Sequence, residues 1–220
     1  MVGQASHAVS TAGSPAIPRP APPAAAKIVI AGGFGVGKTT LVGAVSEIDP
    51  VTTEVVMTGA SRRLDDTTMV PAKTSTTVAM DFGRITIDSQ LVLYLFGTPG
   101  QHRFWFMWDQ LCRGAIGAVV LVDVRRFTDC FAPVDYFERH HIPYAVVVNQ
   151  FDGAPTFAVA AIREALAVDA HVPILSCDAR HRPGAKLALV ALVEHALAVR
   201  RAAAARVRAA RAITTGPNPR

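Results

Sequence analysis

Residues 32–39 read GGFGVGKT, between the apolar run KIVIA at 27–31 and a helix-like segment that begins at Lys38. Each position fits the pattern G-x-x-x-x-G-K-[ST], and the strand before it and the helix after it supply the context that the pattern requires. Glycines let the backbone curl so that successive N–H groups point at phosphate oxygens, and the helix N-terminus adds its dipole. The stretch therefore predicts a phosphate-binding loop made of Gly32, Gly33, Phe34, Gly35, Val36, Gly37, Lys38, Thr39 and Thr40.

Two side chains of this loop are expected to carry chemistry. Lys38 would reach the β- and γ-phosphates of a nucleoside triphosphate or diphosphate, and the Thr39 hydroxyl would ligate Mg²⁺. The stretch thus predicts a nucleotide-binding protein that uses Mg²⁺.

Apolar runs of strand length alternate with longer, helix-like segments along the rest of the chain. Uninterrupted Val, Ile and Leu strands are typical of a parallel sheet covered on both faces, and the short connection at 88–90 predicts an antiparallel hairpin. We therefore predict an α/β fold of the P-loop NTPase class, a doubly wound, mostly parallel six-stranded sheet with one antiparallel edge strand. The predicted strands are Lys27–Ala31, Val78–Asp88, Leu91–Phe96, Ala115–Val124, Tyr144–Asn149 and Val172–Ser176. The predicted helices are Lys38–Ile48, Phe104–Leu111, Phe131–His140, Thr156–Val168 and Lys186–Arg201.

Composition separates both ends of the chain from its central domain, 27–199. Residues 1–26 hold eight Ala, five Pro and one charge, which predicts a disordered tail. The chain carries 22 basic and 17 acidic residues, but six arginines and no acidic residue lie in 200–220, so 1–199 holds 16 basic against 17 acidic residues. The domain is therefore not basic enough to predict a nucleic-acid partner. We interpret the basic tail at 200–220 as the solvated end of the last helix, with contact to acidic lipid, RNA or an acidic partner as the alternative.

The lack of a recognisable targeting signal and the cysteine usage favour a cytoplasmic protein. Partners could recruit it to the inner face of the membrane. No segment reaches 18 uncharged apolar residues, and the N-terminal residues lack the apolar stretch of a signal peptide. Cys112, Cys130 and Cys177 lack metal-binding spacing, so we expect them to be small buried side chains in a reducing compartment.

The strand Tyr144–Asn149 ends in N-Q-F-D, at the edge where open α/β sheets bind ligands. This resembles the guanine-reading N-K-x-D of the Ras-like GTPase superfamily, carried here by Asn149, Gln150 and Asp152, with Gln150 in the place of lysine. An aspartate accepts hydrogen bonds from both N1–H and the 2-amino group of guanine, whereas adenine has no donor at either position. The motif therefore predicts a preference for guanine.

A second loop is expected at the base. Asp178, Ala179 and Arg180 follow the last predicted strand, where the superfamily has its S-A-K loop. The resemblance implies that the Ala179 N–H contacts guanine O6. A surface loop without ligand contact is the alternative.

The first switch is expected at Thr77, four residues before Asp81-Phe82. This spacing resembles the effector segment of Rab-type GTPases, which makes Thr77 the candidate Mg²⁺ ligand and γ-phosphate sensor, with Thr76 in reserve. A polar, threonine-rich loop that enters a strand is the alternative.

The second switch is expected in FGTPGQHR at 96–103. Gly100 matches the glycine whose N–H contacts the γ-phosphate, and Gln101 the glutamine that orients the hydrolytic water. Gly97 stands where the superfamily has an aspartate that holds Mg²⁺ through a water, and Asp81 on the neighbouring strand is a candidate to compensate. The aromatic segment FWFMW at 104–108 favours a partner surface, with plain packing as the alternative.

Taken together, residues 27–199 resemble a bacterial Ras-like small GTPase, closest to the actinobacterial GTPases of conservon systems and to the gliding-motility polarity GTPases. The strings that carry the resemblance are GGFGVGKTT, KTSTTVAMDFGRI, FGTPGQHRFWFMW, VDYFERHHIPYAVVVNQFDGA and CDAR. It implies a GTP/GDP-controlled molecular switch with GTPase activity, a roadblock-type (longin-like) regulator and a sensor histidine kinase as partners. Members of these groups also lack the second-switch aspartate, which makes Gly97 a group trait.

One departure from the polarity GTPases bears on the rate of GTP hydrolysis. Polarity GTPases carry an arginine directly before the switch threonine, and this chain has Thr76 there. An arginine finger contributes about 10³–10⁵ in rate, so we predict slow GTP hydrolysis that needs a partner. Arg103, Arg62 and Arg63 are candidates to supply the missing charge. A non-hydrolysing guanine-nucleotide-binding scaffold and a P-loop ATPase are the alternative functions.

Overall fold

The computed structural model of the protein describes residues 23–49, 51–58 and 75–214, and the side chains of these residues except at 51–58, 75–79, 102–103 and 212–214. The strands are β1 (Ala24–Gly32), β2 (Val51–Thr58), β3 (Ser75–Thr86), β4 (Leu91–Gly97), β5 (Ala115–Val122), β6 (Tyr144–Asn149) and β7 (Ile174–Cys177). The α-helices are α1 (Lys38–Val45), α2 (Trp108–Cys112), α3 (Phe131–Arg139), α4 (Val159–Leu166) and α5 (Arg182–Thr214). Within the described residues, 3₁₀ helices span His102–Met107 and Val124–Cys130.

The described strands form one sheet in the order β2-β3-β4-β1-β5-β6-β7. Strands β4, β1, β5, β6 and β7 pair in parallel, and β3 is antiparallel to both of its neighbours. The predicted fold class is confirmed. The sheet has seven strands where six were predicted, because β2 pairs with β3 from Val51 opposite Phe82 to Thr58 opposite Ser75. For the same reason the antiparallel strand lies one place inside the edge.

Helices cover both faces of the sheet, as the uninterrupted apolar strands predict. On one face Ile28 and Ile30 of β1 pack with Leu41 of α1 and with Leu189 and Leu192 of α5. On the other face the neighbouring β1 residues pack with α2, α3 and α4. Alternate side chains of β1 thus pack into the apolar layers on the two faces of the sheet. This packing fixes the C-terminal end of β1, where the phosphate loop begins.

Helix α5 is longer than predicted and passes through residue 200, where the sequence places the boundary of the basic tail. Its first part packs on the sheet, and its residues from Arg200 to Arg211 are exposed. None of the helices in the described part of the chain is long and apolar enough to cross a membrane.

The aromatic segment at 104–108 is divided between core and surface. Phe104 and Trp108 are buried, Trp105 stacks on Trp108 with ring centroids 5.0 Å apart, and Phe106 is exposed. Packing therefore accounts for most of the segment. The three cysteines are buried and unpaired, as predicted.

Candidate nucleotide-binding site

The phosphate loop connects β1 directly to α1, and Gly32 and Gly37 are among its positions that need glycine. Gly32 has φ 139° and Gly37 has φ 103°, a region that side chains with a Cβ rarely adopt. A Cβ on Gly32 would lie 2.6 Å from the Leu121 carbonyl oxygen, and one on Gly37 would lie 2.5 Å from Asn149 Nδ2. The glycines of the motif thus let β5 and the end of β6 approach the loop backbone closely.

Lys38 begins α1 and folds back into the loop. Its Nζ donates hydrogen bonds to the carbonyl oxygens of Gly32 at 2.9 Å and Gly33 at 2.7 Å. Burial lowers the pKa of Lys38 to about 8, while Asp81 acts to raise it and Arg126 to lower it. At neutral pH the ammonium group is therefore still charged, as the predicted contact with phosphates requires.

Asn149 joins three separate loops at the C-terminal end of β6. Its Nδ2 donates to the Val36 carbonyl oxygen in the phosphate loop at 2.9 Å, and its Oδ1 accepts from the Ala179 N–H at 2.9 Å. The residue is 4% exposed, so both bonds are shielded from water. This bridge fixes the N-Q-F-D segment and the loop after β7 against the phosphate loop.

The predicted base-reading residues lie together at this end of the sheet. A cavity of ≈ 480 Å³ is lined by Asn149, Gln150, Asp152 and Asp178 among others. The Asp152 carboxylate is exposed and forms a two-point ion pair with Arg180, at 2.8 and 2.9 Å. Ala179 is buried and its N–H donates to Asn149 Oδ1, so the predicted contact of this N–H with guanine O6 stays a prediction.

Two arginines missed by the sequence analysis contact the candidate site, Arg125 at Phe151 and Arg126 at the phosphate loop. The Arg125 guanidinium lies 3.8 Å from the centroid of the Phe151 ring and donates to Asp123 at 2.8 and 2.9 Å. Arg126 donates to the carbonyl oxygen of Phe34 in the phosphate loop. The signal that could have found them is an Arg-Arg pair that starts three residues after the end of β5, at the ligand-binding edge of the sheet.

Thr39, Asp81 and Gly97 meet at the other end of the loop. The Thr39 hydroxyl donates to Asp81 Oδ2 at 2.8 Å. A Cβ on Gly97 would lie 2.8 Å from the same oxygen and 3.0 Å from Asp81 Cβ. The Asp81 carboxylate therefore fills the space that an aspartate at 97 would need, and a carboxylate stands beside Thr39 although position 97 has none.

The segment after β4 lies against the phosphate loop. A Cβ on Gly100 would lie 2.8 Å from Lys38 Nζ and 2.9 Å from the Phe34 nitrogen, so only glycine fits this close approach. A cavity of ≈ 360 Å³ opens here, and Phe34, Gln101, Trp105 and Asp129 are among the residues that line it. Gln101 thus lies beside the phosphate loop, as its predicted role requires.

The structure brings together most of the predicted site. It does not reach the switch threonine, because the side chains of Thr76 and Thr77 lie outside the described residues, as do Arg62, Arg63 and the side chain of Arg103. Thr40 is exposed in the first turn of α1. The roles of all these residues stay predictions.

Comparison with known proteins agrees with a nucleotide site. The model of a family described as "Conserved hypothetical ATP binding protein" matches residues 30–199, a range that runs from the end of β1 into α5. An uncharacterized protein of Methanocaldococcus jannaschii is 30% identical over 128 residues, which cover 57% of this chain and 70% of that protein. The chain therefore belongs to this family of conserved hypothetical ATP-binding proteins, which is a nucleotide-binding family.

Proposed function

We propose that this nucleotide-binding protein is a guanine-nucleotide switch that hydrolyses GTP slowly and depends on a partner protein for a faster rate. The observation that carries the proposal is the Asn149 bridge. It ties the phosphate loop and the loop of Ala179 to Asn149, the first residue of the N-Q-F-D segment that also holds Asp152. A loop that only binds phosphates has no need of such a buried link to two loops at the base end.

Asp152 supplies the base choice in this proposal. An ionised carboxylate is an acceptor at both oxygens, and guanine presents two adjacent donors, N1–H and the 2-amino group. Adenine presents an acceptor at N1 and no 2-amino group, so it leaves the carboxylate unpaired. The family description names ATP, and a P-loop ATPase is the competing function.

Mg²⁺ fits the corner formed by Thr39 and Asp81. The ion prefers oxygen ligands and keeps several waters, so one protein hydroxyl with phosphate oxygens suffices as direct ligands. The Thr39 hydroxyl donates a hydrogen bond to Asp81. Because its hydrogen points at Asp81, the lone pairs of the hydroxyl oxygen are free to face the metal. Asp81 would orient this ligand and hold metal-bound water, and the bound ion would neutralise charge on the β- and γ-phosphates.

Replacing Asp81 with asparagine is expected to weaken Mg²⁺ binding by about 10–100-fold, the usual effect of losing a group that orients a metal ligand. The measurement is the Mg²⁺ concentration that half-maximally slows GDP release. The Gly97→Asp single variant should also bind Mg²⁺ poorly, because two carboxylates would then share one space. Combining Gly97→Asp with Asp81→Gly should restore binding by moving the carboxylate to the neighbouring strand.

Asp135→Asn is the matched control for these variants, because Asp135 is an exposed carboxylate on α3 that pairs with Arg139. Equal Mg²⁺ dependence in Asp81→Asn and in this control would remove Asp81 from the metal site.

Gln101 would position the attacking water, and the phosphate loop and Lys38 would stabilise the charge on the transferred phosphoryl group. Gln101→Leu is expected to lower single-turnover GTP hydrolysis by at least roughly tenfold while leaving the GDP affinity within about twofold, because the side chain acts on the water. A hydrolysis rate equal to that of the unaltered protein would favour the non-hydrolysing scaffold.

Partners are proposed from the sequence resemblance to polarity and conservon GTPases. A roadblock-type (longin-like) regulator beside a sensor histidine kinase would read the nucleotide state. The absence of an arginine at position 76 supports dependence on such a partner. Hydrolysis measured with and without a co-purified regulator of this type tests the proposal, and fast unaided hydrolysis would contradict it.

A further inference from the structure

Arg180 holds both carboxylates at the base end of the site. Its Nη1 and Nη2 donate to the two oxygens of Asp152, at 2.9 and 2.8 Å. On its other edge, Nε and Nη2 donate to Asp178, with the shortest distance 2.6 Å. Arg180 is thus the only residue for which the described structure gives a side-chain hydrogen bond to Asp152.

The guanidinium group offers Asp152 the same arrangement of donors as guanine does. Two parallel N–H groups of an arginine bind the two oxygens of a carboxylate side by side. N1–H and the 2-amino group of guanine are also adjacent donors that point in the same direction. Both pairs of donors need the same edge of the carboxylate, the one on which its two oxygens lie side by side, so guanine and Arg180 compete for that edge of Asp152.

We propose that Arg180 guards the base-reading carboxylate: it occupies Asp152 in the nucleotide-free protein, and a guanine nucleotide binds by displacing it. This inference rests on the proposed guanine-reading role of Asp152. In this role Arg180 weakens guanine binding and favours release of GDP, because its guanidinium group can replace guanine as the hydrogen-bond partner of Asp152.

Asp178 makes the displacement feasible. It is only 16% exposed in its side chain, and its Oδ1 accepts from the Arg180 N–H at 2.9 Å, which fixes the turn between the two residues. Arg180 keeps its bonds to Asp178 when it leaves Asp152, so the arginine is never without a partner. The hydrogen bonds from Arg180 lower the pKa of Asp178 to about 2, so this partner stays ionised at all physiological pH values.

The test compares GDP and ADP affinities by competition against a fluorescent GDP analogue, for the full chain and its variants. Arg180→Ala should tighten GDP binding by roughly three- to tenfold, slightly more than the effect of one exposed ion pair because the contact is two-pointed. It should leave ADP binding unchanged, because adenine does not use Asp152. Arg180→Gln, which keeps the aliphatic stem, should behave in the same way.

Arg139→Ala is the control, because Arg139 is an arginine in an exposed ion pair on α3, with Asp135 at 3.4 Å. A second readout is the pKa of Asp152 in the nucleotide-free protein. Arg180 lowers this pKa chiefly through its side-chain hydrogen bonds, so Arg180→Ala should raise it toward its ordinary value.

The outcomes separate the two proposals. Weaker or unchanged GDP binding in Arg180→Ala would overturn the guard, since it would show that the arginine supports the base or does not compete with it. If Asp152→Asn leaves the preference for GDP over ADP unchanged, Asp152 does not read guanine. The proposed role of Arg180 as a guard is then contradicted as well. If Asp152→Asn abolishes the preference while Arg180→Ala has no effect, only the guard is wrong.

Discussion

Asp152→Asn is expected to change the base preference of the protein from guanine to xanthine. An asparagine amide keeps one acceptor for N1–H but places a donor where the carboxylate had its second acceptor. Guanine then meets a donor with its own 2-amino group, whereas xanthine carries a carbonyl oxygen at that position and pairs with the amide. Mismatches of this kind leave polar groups unpaired and reach about 10⁴ in discrimination, so a reversal of at least roughly 100-fold is predicted.

Competition of GDP, XDP and ADP for the same site measures this reversal. Asp169→Asn is a suitable control, because Asp169 is an exposed carboxylate that pairs with His171 in the loop before β7, at the opposite end of the sheet. An Asp152→Asn protein that binds GDP and XDP in the same ratio as the unaltered protein would show that Asp152 does not contact the base.

Asn149→Ala is expected to give the second large effect, on stability and nucleotide binding together. The substitution leaves the Val36 carbonyl oxygen and the Ala179 N–H without their buried partner. Each unsatisfied buried group costs about 1–3 kcal/mol, so the free energy of unfolding should fall by roughly 2–6 kcal/mol. Nucleotide affinity should fall further, because the phosphate loop and the base loops lose their common anchor.

Urea unfolding followed by circular dichroism measures the first effect, and calorimetric titration with GDP measures the second. Gln110→Ala, on the exposed side of α2, should leave the free energy of unfolding within about 0.5 kcal/mol. An Asn149→Ala protein as stable as this control would show that the bridge does not hold the loops.

The phosphate loop and the order of most strands were predictable because their signals are local. A glycine-rich turn between an apolar strand and a helix has few other interpretations, and buried parallel strands form continuous apolar runs. Strand β2 was missed because VTTEVVMT shows no clean alternation of apolar and polar residues. The strand forms by pairing with β3, which follows it only after an intervening segment. The length of α5 was missed because its boundary was drawn from charge. Alanine and arginine are both strong helix formers, and nothing in 200–214 stops the helix.

The chemistry at the two ends of the site depends on side chains that only the fold brings together. Asp81 fills the space beside Gly97 because β3 and β4 are neighbours, with Phe82 opposite Phe96. The sequence offered this compensation as a candidate and could not give the contact with Thr39. Arg180 was seen only as the third residue of a loop motif, because its bonds to Asp152 join residues 28 positions apart.

Direct competition between GTP and ATP for the purified, nucleotide-free protein in the presence of Mg²⁺ tests the central claim most directly. Both nucleotides share the phosphate loop, Lys38 and the metal corner, so any difference between them reports on the base. The guanine assignment predicts that GTP binds at least roughly 100-fold more tightly than ATP. Equal binding, or tighter binding of ATP, would contradict it and favour the ATPase.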